Sequence, residues 1–189
     1  MTCGPRESAD REAATTHCQA YGDGRKGASM FSFQPSNPAD KPLRYRELCE
    51  AADAITQGEP DGVANMANVA ALVWHFVPGL NWGGFYRSVG GELVLGPFAG
   101  LPACIRIPFG KGVCGAAAET GESQLVPDVH AFPGHIACDA RSRSELVVPV
   151  MRGGEAIAVI DCDSPEPDFF DEEDRKGLEA LAGILSQRI

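Results

Sequence analysis

Three cysteines in the middle of the chain, Cys104, Cys114 and Cys138, could carry thiol chemistry. Cys114 follows Lys111 and Gly112 at the predicted start of a short helix, where free backbone amides and a nearby ammonium would stabilise a thiolate. Free cysteines are also among the most buried residue types, so three packed, unreactive thiols are the simplest interpretation from composition alone. The cysteines therefore leave open a choice between packing and redox chemistry.

A metal site is a third possibility for these residues. It would use His130, His135 and Cys138, which lie close together in a long predicted loop, residues 127–142. The chain has no CxxC pair, and the spacing His-x4-His-x2-Cys is a weak metal pattern. We therefore predict that the protein holds neither a metal nor another resident cofactor.

Three acidic residues, Glu145, Asp161 and Asp163, lie near the ends of two predicted hairpin strands. Alternation along the second strand places Asp161 and Asp163 on one face and Cys162 on the other. Antiparallel pairing would bring Glu145 near both aspartates. Three converging carboxylates repel one another unless they bind a cation or take up a proton. The alternative interpretation is a solvated acidic edge.

Two aromatic residues, Trp82 and Tyr86, are four apart in the first predicted strand and therefore share one face, whereas Phe85 points the other way. Aromatic rings over a pocket can hold an apolar or cationic group. On the residues alone, a plain role in the core is the commoner fate of such rings.

Length and composition limit the classes of function. The 189 residues include 16 Lys and Arg against 26 Asp and Glu, a formal net charge of −10. This charge argues against nucleic-acid binding by broad phosphate neutralisation and against an anionic membrane surface. No apolar run reaches the ~18–20 residues of a membrane span. Seven cysteines, an odd number without a secretory signal, argue against a disulfide framework and indicate a cytoplasmic protein with reduced thiols.

The elements that must position these groups follow from the hydrophobic period. Residues 1–38 are rich in glycine, proline and mixed polar residues and predict a disordered N-terminal extension, with Met30 as an alternative translation start. The patterns predict helices at residues 42–56, 61–77, 112–120 and 171–189, and strands at residues 81–89, 92–98, 103–107, 123–126, 145–151 and 155–161. Residues 39–189 thus predict one α+β domain, a mainly antiparallel central sheet with helices packed on one side.

Three segments of the chain are long and contiguous enough to resemble one known family. They are PACIRIPFGKGVCG, VPDVHAFPGHIACDARSRSELVVPV and VIDCDS. These segments resemble the free methionine-(R)-sulfoxide reductases, which are built on a GAF-type domain, and the resemblance runs from about residue 33 to the C-terminus. It implies a GAF-like fold and a homodimer.

The resemblance also implies roles for the candidate residues. It implies redox cysteines at Cys104, Cys114 and Cys138, acidic substrate-binding residues at Glu145, Asp161 and Asp163, and aromatic pocket residues at Trp82 and Tyr86. Cys162 departs from the family, whose members usually carry an apolar residue there. We interpret Cys162 as a core residue, because its side chain should point away from the carboxylates.

The reaction that the resemblance implies is thiol-dependent reduction of free L-methionine (R)-sulfoxide to L-methionine. A thiolate attacks the sulfoxide sulfur while an acid protonates the oxygen. The resulting cysteine sulfenic acid condenses with a second cysteine to an intramolecular disulfide, which thioredoxin reduces. The alternative function is a GAF-type module that senses a small ligand without catalysis.

Within this mechanism we expect Cys138 to be the nucleophile, because its loop can close over a small ligand, and Cys104 to be the resolving partner. The predicted helix start favours Cys114 as the more acidic thiol, which could take either role. The two aspartates are expected to hold the substrate ammonium, and Glu145 is expected to supply or share the proton.

Overall fold

The computed structural model describes residues 34–136 and 139–189. The predicted nucleophile Cys138 and the greater part of the predicted N-terminal extension, with Met30, lie outside the described residues. At the edge of that extension, the backbone N–H of Ser36 donates to the Glu47 side chain at 2.9 Å. The described residues include all but two of the predicted domain, residues 39–189.

Four α-helices form where the sequence pattern predicts them: α1, Lys41–Thr56; α2, Gly62–Phe76; α3, Gly112–Thr120; and α4, Glu172–Leu185. An aspartate precedes α1, α2 and α4, and its side chain accepts hydrogen bonds from backbone N–H groups of the first turn. α4 ends four residues before the predicted end. There the Arg152 side chain donates to the carbonyl oxygen of Ser186 at 2.7 Å and so satisfies a free acceptor at the helix terminus.

Six strands form one antiparallel sheet in the order β3-β2-β1-β6-β5-β4. Their bounds are β1, Trp82–Val89; β2, Glu92–Gly100; β3, Arg106–Pro108; β4, Gln124–Val126; β5, Ser144–Arg152; and β6, Glu155–Ser164. Two-glycine turns close the β1–β2 and β5–β6 hairpins, and all four glycines have positive φ. Glycine adopts this conformation without steric cost, which is why the Gly-Gly pairs predict both hairpins correctly.

One β-bulge sets the register of the β5–β6 hairpin. Val150 pairs with Ala158, whereas the pairs nearer the turn are one residue out of step, so Ile157 is the extra residue on β6. Beyond the bulge, Glu145 lies directly opposite Asp163. The bulge therefore determines which side chains of the two strands share a face.

The predicted strand at residues 103–107 is wrong in its first half. β3 begins at Arg106, so Cys104 precedes the strand instead of beginning it. The last hydrogen bond between these segments runs from the Leu95 N–H to the Ile105 carbonyl oxygen at 2.9 Å. Two residues further along β2, the N–H that would continue the pairing belongs to Pro97, which has none.

The sheet separates two buried cores. α2 and α4 pack against one face, α1 covers them, and the core between them includes Leu146 and Cys162. α3 packs against the opposite face, where the second core includes Tyr86, Val147 and Cys114. The predicted antiparallel sheet with helices packed on one side is confirmed by the layer of α1, α2 and α4. Of the four α-helices in the described residues, α3 lies on the other face of the sheet.

A buried acidic residue connects α1 to α4. Asp174 is fully buried, and its carboxylate accepts hydrogen bonds from the Tyr45 hydroxyl at 2.9 Å and from Arg44 Nη2 at 3.1 Å. Lys41 Nζ also contacts it at 2.5 Å. Removing one partner from such a group leaves an uncompensated buried charge, which is more costly than the intact pair.

Asp174→Ala is expected to lower the free energy of unfolding by about 3–5 kcal/mol, because the buried Arg44 guanidinium would lose its counter-charge. Urea unfolding followed by circular dichroism measures this change. Glu173→Ala, on the exposed side of the same helix turn, is the matched control and should change the free energy by less than about 0.5 kcal/mol. Equal urea midpoints for the two variants would contradict the structural role of Asp174.

Candidate active site

The three predicted acids meet on the α3 face of the sheet, at one end of the β5–β6 hairpin. Glu145 lies opposite Asp163, and Asp161 lies two residues along β6 on the same face. Glu145 is 6% exposed and Asp161 5% exposed. This burial rules out a solvated acidic edge at these two residues, and the carboxylates converge as the strand alternation predicts.

The acids form one wall of a cavity with an empty volume of about 390 Å³. β1 contributes Tyr86 to the lining, the start of α3 contributes Val113 and Cys114, and the loop after β4 contributes His135 and Ile136. A concave site lined by a few convergent polar groups and an aromatic ring is typical of small-molecule binding. The cavity thus brings together a thiol, the three predicted acids and an aromatic ring.

Cys114 is the third residue of α3, and its thiol faces the acids. Its Sγ lies 3.9 Å from Glu145 Oε1 and donates a weak hydrogen bond to it. Burial, and the negative charges of Asp161 and Glu145, raise the pKa of Cys114 well above its usual value. The expectation that the helix start makes Cys114 an acidic thiol is therefore wrong. Desolvation and the carboxylates outweigh the helix amides, and Lys111 remains exposed.

The carboxyl cluster holds protons at neutral pH. Burial raises the pKa of Asp161 to about 7. Burial and the negative charge of Asp161 raise the pKa of Glu145 and of Asp163 well above their usual values. A carboxylic acid that is still protonated near pH 7 can donate a proton to a bound molecule, so the cluster is suited to general acid chemistry.

The two predicted aromatic residues take different positions. Tyr86 lines the cavity. Trp82 stacks on the ring of Tyr86, with the two ring centroids 5.8 Å apart. Trp82 in turn stacks on Phe98 at 5.2 Å and donates from Nε1 to the Leu101 carbonyl oxygen at 3.1 Å. Trp82 therefore fixes the ring that faces the cavity, and the sequence analysis did not identify Phe98 as the third member of the stack.

The loop after β4 closes the cavity through residues that the sequence analysis did not assign to it. Asn81 Nδ2 donates to Asp139 Oδ2 and to Ser142 Oγ, both at 3.0 Å. Arg141 makes an ion pair with Asp139 at 2.7 Å, and this charge-assisted contact holds the pKa of Asp139 well below its usual range. The length of the loop was the available signal for a functional segment, but its individual anchors have no sequence signature.

Two of the candidate zinc ligands, His130 and His135, lie in the described part of the chain, and Cys138 lies outside it. His135 lines the cavity, with Nε2 3.8 Å from Glu145 Oε2, whereas His130 is exposed and does not line it. Burial lowers the pKa of His135, which favours the neutral ring.

Cys104 is half-buried and packs against the core on the α3 face, in the segment before β3. It does not line the cavity. The four cysteines within residues 34–136 and 139–189, which are Cys49, Cys104, Cys114 and Cys162, are all free thiols. Cys162 is fully buried on the face of the sheet that α2 and α4 cover, as predicted.

Comparison with known proteins relates this chain to named relatives over most of its length. A family model described as GAF domain matches residues 84–189. The Bacillus subtilis protein YtsP is 49% identical over 162 residues, which are 85% of this chain and 99% of the relative. The free methionine-R-sulfoxide reductase of Saccharomyces cerevisiae is 43% identical over 160 residues, 80% of this chain and 89% of the relative. The chain belongs to the GAF-domain family of free methionine-R-sulfoxide reductases.

A solved structure agrees with membership in this reductase family. The free methionine-R-sulfoxide reductase of Neisseria meningitidis, determined in complex with its substrate, is 47% identical and superposes with a TM-score of 0.76. The match covers 79% of this chain and 90% of that one. The predicted GAF-like fold is confirmed. Among the described helices, none is long and apolar enough to cross a lipid bilayer.

The proton on the Asp161 carboxyl group makes the free energy of unfolding of this protein depend on pH. Because the pKa is about 7 in the folded chain against an ordinary value of 3.8, only the folded state keeps that proton between these values. The free energy of unfolding therefore falls as pH rises from about 4 to 7. Asp161→Asn should remove the part of this dependence that Asp161 contributes, while Glu145 and Asp163 keep theirs, and gain up to about 4 kcal/mol at pH 8, the free-energy equivalent of the pKa difference.

Melting temperatures of the wild type and Asp161→Asn at pH 5 and pH 8 measure this effect. The variant should melt higher than the wild type at both pH values, by clearly more at pH 8 than at pH 5. Glu166→Gln, an exposed acid just beyond β6, is the control and should show the wild-type dependence on pH. A variant that is less stable than the wild type at pH 8 would contradict the assignment of the buried proton.

Proposed function

We propose that this chain reduces free L-methionine (R)-sulfoxide to L-methionine with its own thiols. The observation that carries the proposal is the set of buried acids beside a buried thiol around one small cavity. This set occurs in a chain that is 43% identical to a yeast protein named free methionine-R-sulfoxide reductase. The acids would supply both a counter-charge and a proton to a small zwitterionic sulfoxide.

The cavity offers a partner for the distinctive groups of this substrate. An ionised Asp161 or Asp163 would pair with the ammonium, and a protonated Glu145 would donate to the sulfoxide oxygen. The ring of Tyr86, held by the stack with Trp82, would cover the apolar part of the side chain. A peptide-bound residue has no free ammonium and would leave a buried carboxylate unpaired, at a cost of about 1–3 kcal/mol, which favours the free amino acid.

The first chemical step forms a bond between the Cys138 sulfur and the sulfoxide sulfur. Cys138 attacks as a thiolate while Glu145 protonates the sulfoxide oxygen. The oxygen then passes to Cys138, so that methionine leaves with its sulfur reduced and a cysteine sulfenic acid remains. The described neighbours of Cys138 in the sequence, Ile136 and Asp139, both line the cavity, which supports Cys138 as the nucleophile.

The second step closes a disulfide. The thiol of Cys104 attacks the sulfenic sulfur and water leaves, with Cys114 as the other thiol able to take this role. A dithiol protein of the thioredoxin class then reduces the disulfide by exchange and is itself oxidised, which restores both cysteines. The reducing environment of the cytosol would keep the cysteines of the resting enzyme as thiols, so we place the enzyme in the cytoplasm. We also propose that it acts as a homodimer.

Oxidation of NADPH linked through thioredoxin reductase and thioredoxin tests the proposal. The purified chain is assayed with the R and S epimers of free L-methionine sulfoxide and with a peptide containing either epimer. Only the free R epimer should drive oxidation. Activity with dithiothreitol but not with thioredoxin would reject the proposed reductant alone. Ligand binding without turnover by either reductant would reject the enzyme in favour of a sensing module.

A further inference from the structure

A second use of the cavity follows from three of its side chains. One ligand atom each of Cys114, Glu145 and Asp161, namely the Sγ atom and two carboxylate oxygens, lie within 4.8 Å of one another. All three residues are buried. In a tetrahedral zinc site such atoms are about 3.4–3.6 Å apart, because Zn–S and Zn–O bonds are about 2.3 and 2.1 Å long. A movement of about 1 Å would therefore bring the three groups to the spacing of a bound cation.

An unsatisfied oxygen also points to a ligand at this position. Asp161 is 5% exposed, and its Oδ1 is buried without a hydrogen-bond partner among the described residues. Buried polar atoms in folded proteins nearly always have a partner, so an orphaned carboxylate oxygen in a cavity wall indicates a group that binds there. In the ionised form of Asp161 this oxygen is an acceptor, so its partner would be a cation or a hydrogen-bond donor.

The donor set selects the class of cation. Thiolates favour zinc-class ions, whereas Ca²⁺ needs six to eight oxygen ligands and Mg²⁺ prefers octahedral oxygen sites. His135 lies beside this trio on the loop side, with its Nε2 3.8 Å from Glu145 Oε2. One sulfur and two carboxylate oxygens fill three of the four positions that Zn²⁺ and its heavier analogue Cd²⁺ prefer.

We propose that the cavity binds a zinc-class divalent cation through Cys114, Glu145 and Asp161, in competition with the amino-acid ligand. The cation would occupy the groups that the proposed function assigns to the substrate, so it would act as an inhibitor and not as a cofactor. Binding itself does not depend on the proposed reductase activity; only the competition does. None of these three residues is among the sequence-predicted metal candidates His130, His135 and Cys138.

Binding should release protons, because the ligands must be deprotonated to hold the ion. Burial raises the pKa of Cys114 and of Glu145, so the free cavity holds protons on both groups at neutral pH. The other titratable groups that line the cavity with the trio are Tyr86, Lys111, His135, Asp139 and Asp163.

Titration of the fully reduced chain with Cd²⁺ tests the site, since the cadmium–thiolate bond absorbs in the ultraviolet independently of turnover. Cys114→Ser should remove one equivalent of this absorption and weaken cadmium binding by more than about tenfold, because even indirect partners of metal ligands contribute about 10–100-fold. Asp161→Asn should weaken it similarly while leaving the thiol in place. Cys49→Ser, a half-buried thiol on α1, is the matched control and should leave binding unchanged.

Three outcomes bear on the proposal. Free L-methionine that displaces one equivalent of Cd²⁺ from the wild type supports it, whether or not the chain reduces methionine sulfoxide. Binding that survives in Cys114→Ser but is lost in Cys138→Ser would overturn it, because the loop thiol would then be the ligand. Binding that is equally tight in Asp161→Asn and in the wild type would also overturn it. Circular dichroism of each variant verifies that the loss of cadmium binding is not a loss of fold.

Discussion

Cys138→Ser is expected to abolish turnover of free L-methionine (R)-sulfoxide, with a loss of more than about 10⁴-fold in kcat, as for the removal of other catalytic nucleophiles. Serine keeps the size of the side chain but has no sulfur to form the bond with the sulfoxide. Cys114→Ser should be less severe, because burial beside the acids raises the pKa of that thiol and leaves little thiolate to attack. The thioredoxin-linked rate measures both variants.

Single-turnover assays separate the roles of the cysteines. Cys104→Ser should still release one equivalent of methionine per chain and accumulate a sulfenic acid, because the first step does not need the resolving thiol. Cys49→Ser, remote from the cavity, should turn over at the wild-type rate. A sulfenic acid trapped on Cys114, with Cys138 unmodified, would reverse the order of the proposed steps.

Glu145→Gln is expected to lower kcat by about 10²–10⁴-fold, the usual contribution of a general acid. Glutamine has nearly the same shape and can still donate a hydrogen bond, but it cannot transfer a proton to the sulfoxide oxygen. The wild-type rate should fall as pH rises above the pKa of the acid cluster, which burial raises above the ordinary carboxyl range. The variant should lose this dependence on pH.

A pH–rate profile with saturating substrate measures this effect. Glu155→Gln, at the exposed start of the same β6 strand, is the control and should retain both the rate and the profile. If Glu145→Gln raised KM at unchanged kcat, Glu145 would act only in binding the substrate. The proton would then have to come from another acid, and Asp163, which lies opposite Glu145, would be the next candidate.

The periodic parts of the fold could be predicted because each depends on local signals. The Gly-Gly pairs fix both hairpins, and aspartate caps with apolar stripes fix α1, α2 and α4. Strand alternation then places Asp161 and Asp163 together and Cys162 behind them. The failures occur where a distant partner decides, as at Cys104, where Pro97 of the neighbouring strand prevents continued pairing.

The electrostatics of the site were less predictable than its geometry. The position of Cys114 in the first turn of α3 was predicted correctly, but its pKa depends on carboxylates from β5 and β6 that a local rule cannot include. The anchors of the cavity loop were missed for a related reason. Asn81 contacts Asp139 across 58 positions of sequence, and an isolated asparagine gives no sign of such a partner.

The bulge at Ile157 gives the acids a part in folding as well as in chemistry. If Ile157 paired regularly, every later side chain of β6 would point to the opposite face of the sheet. Cys162 would then share a face with Glu145, and both aspartates would lie in the apolar layer beneath α2 and α4. Two ionised groups in that layer would cost several kcal/mol each. The cost of burying both aspartates therefore disfavours the hairpin register without the bulge. The same two side chains that line the cavity in the correct register thus help to select that register during folding.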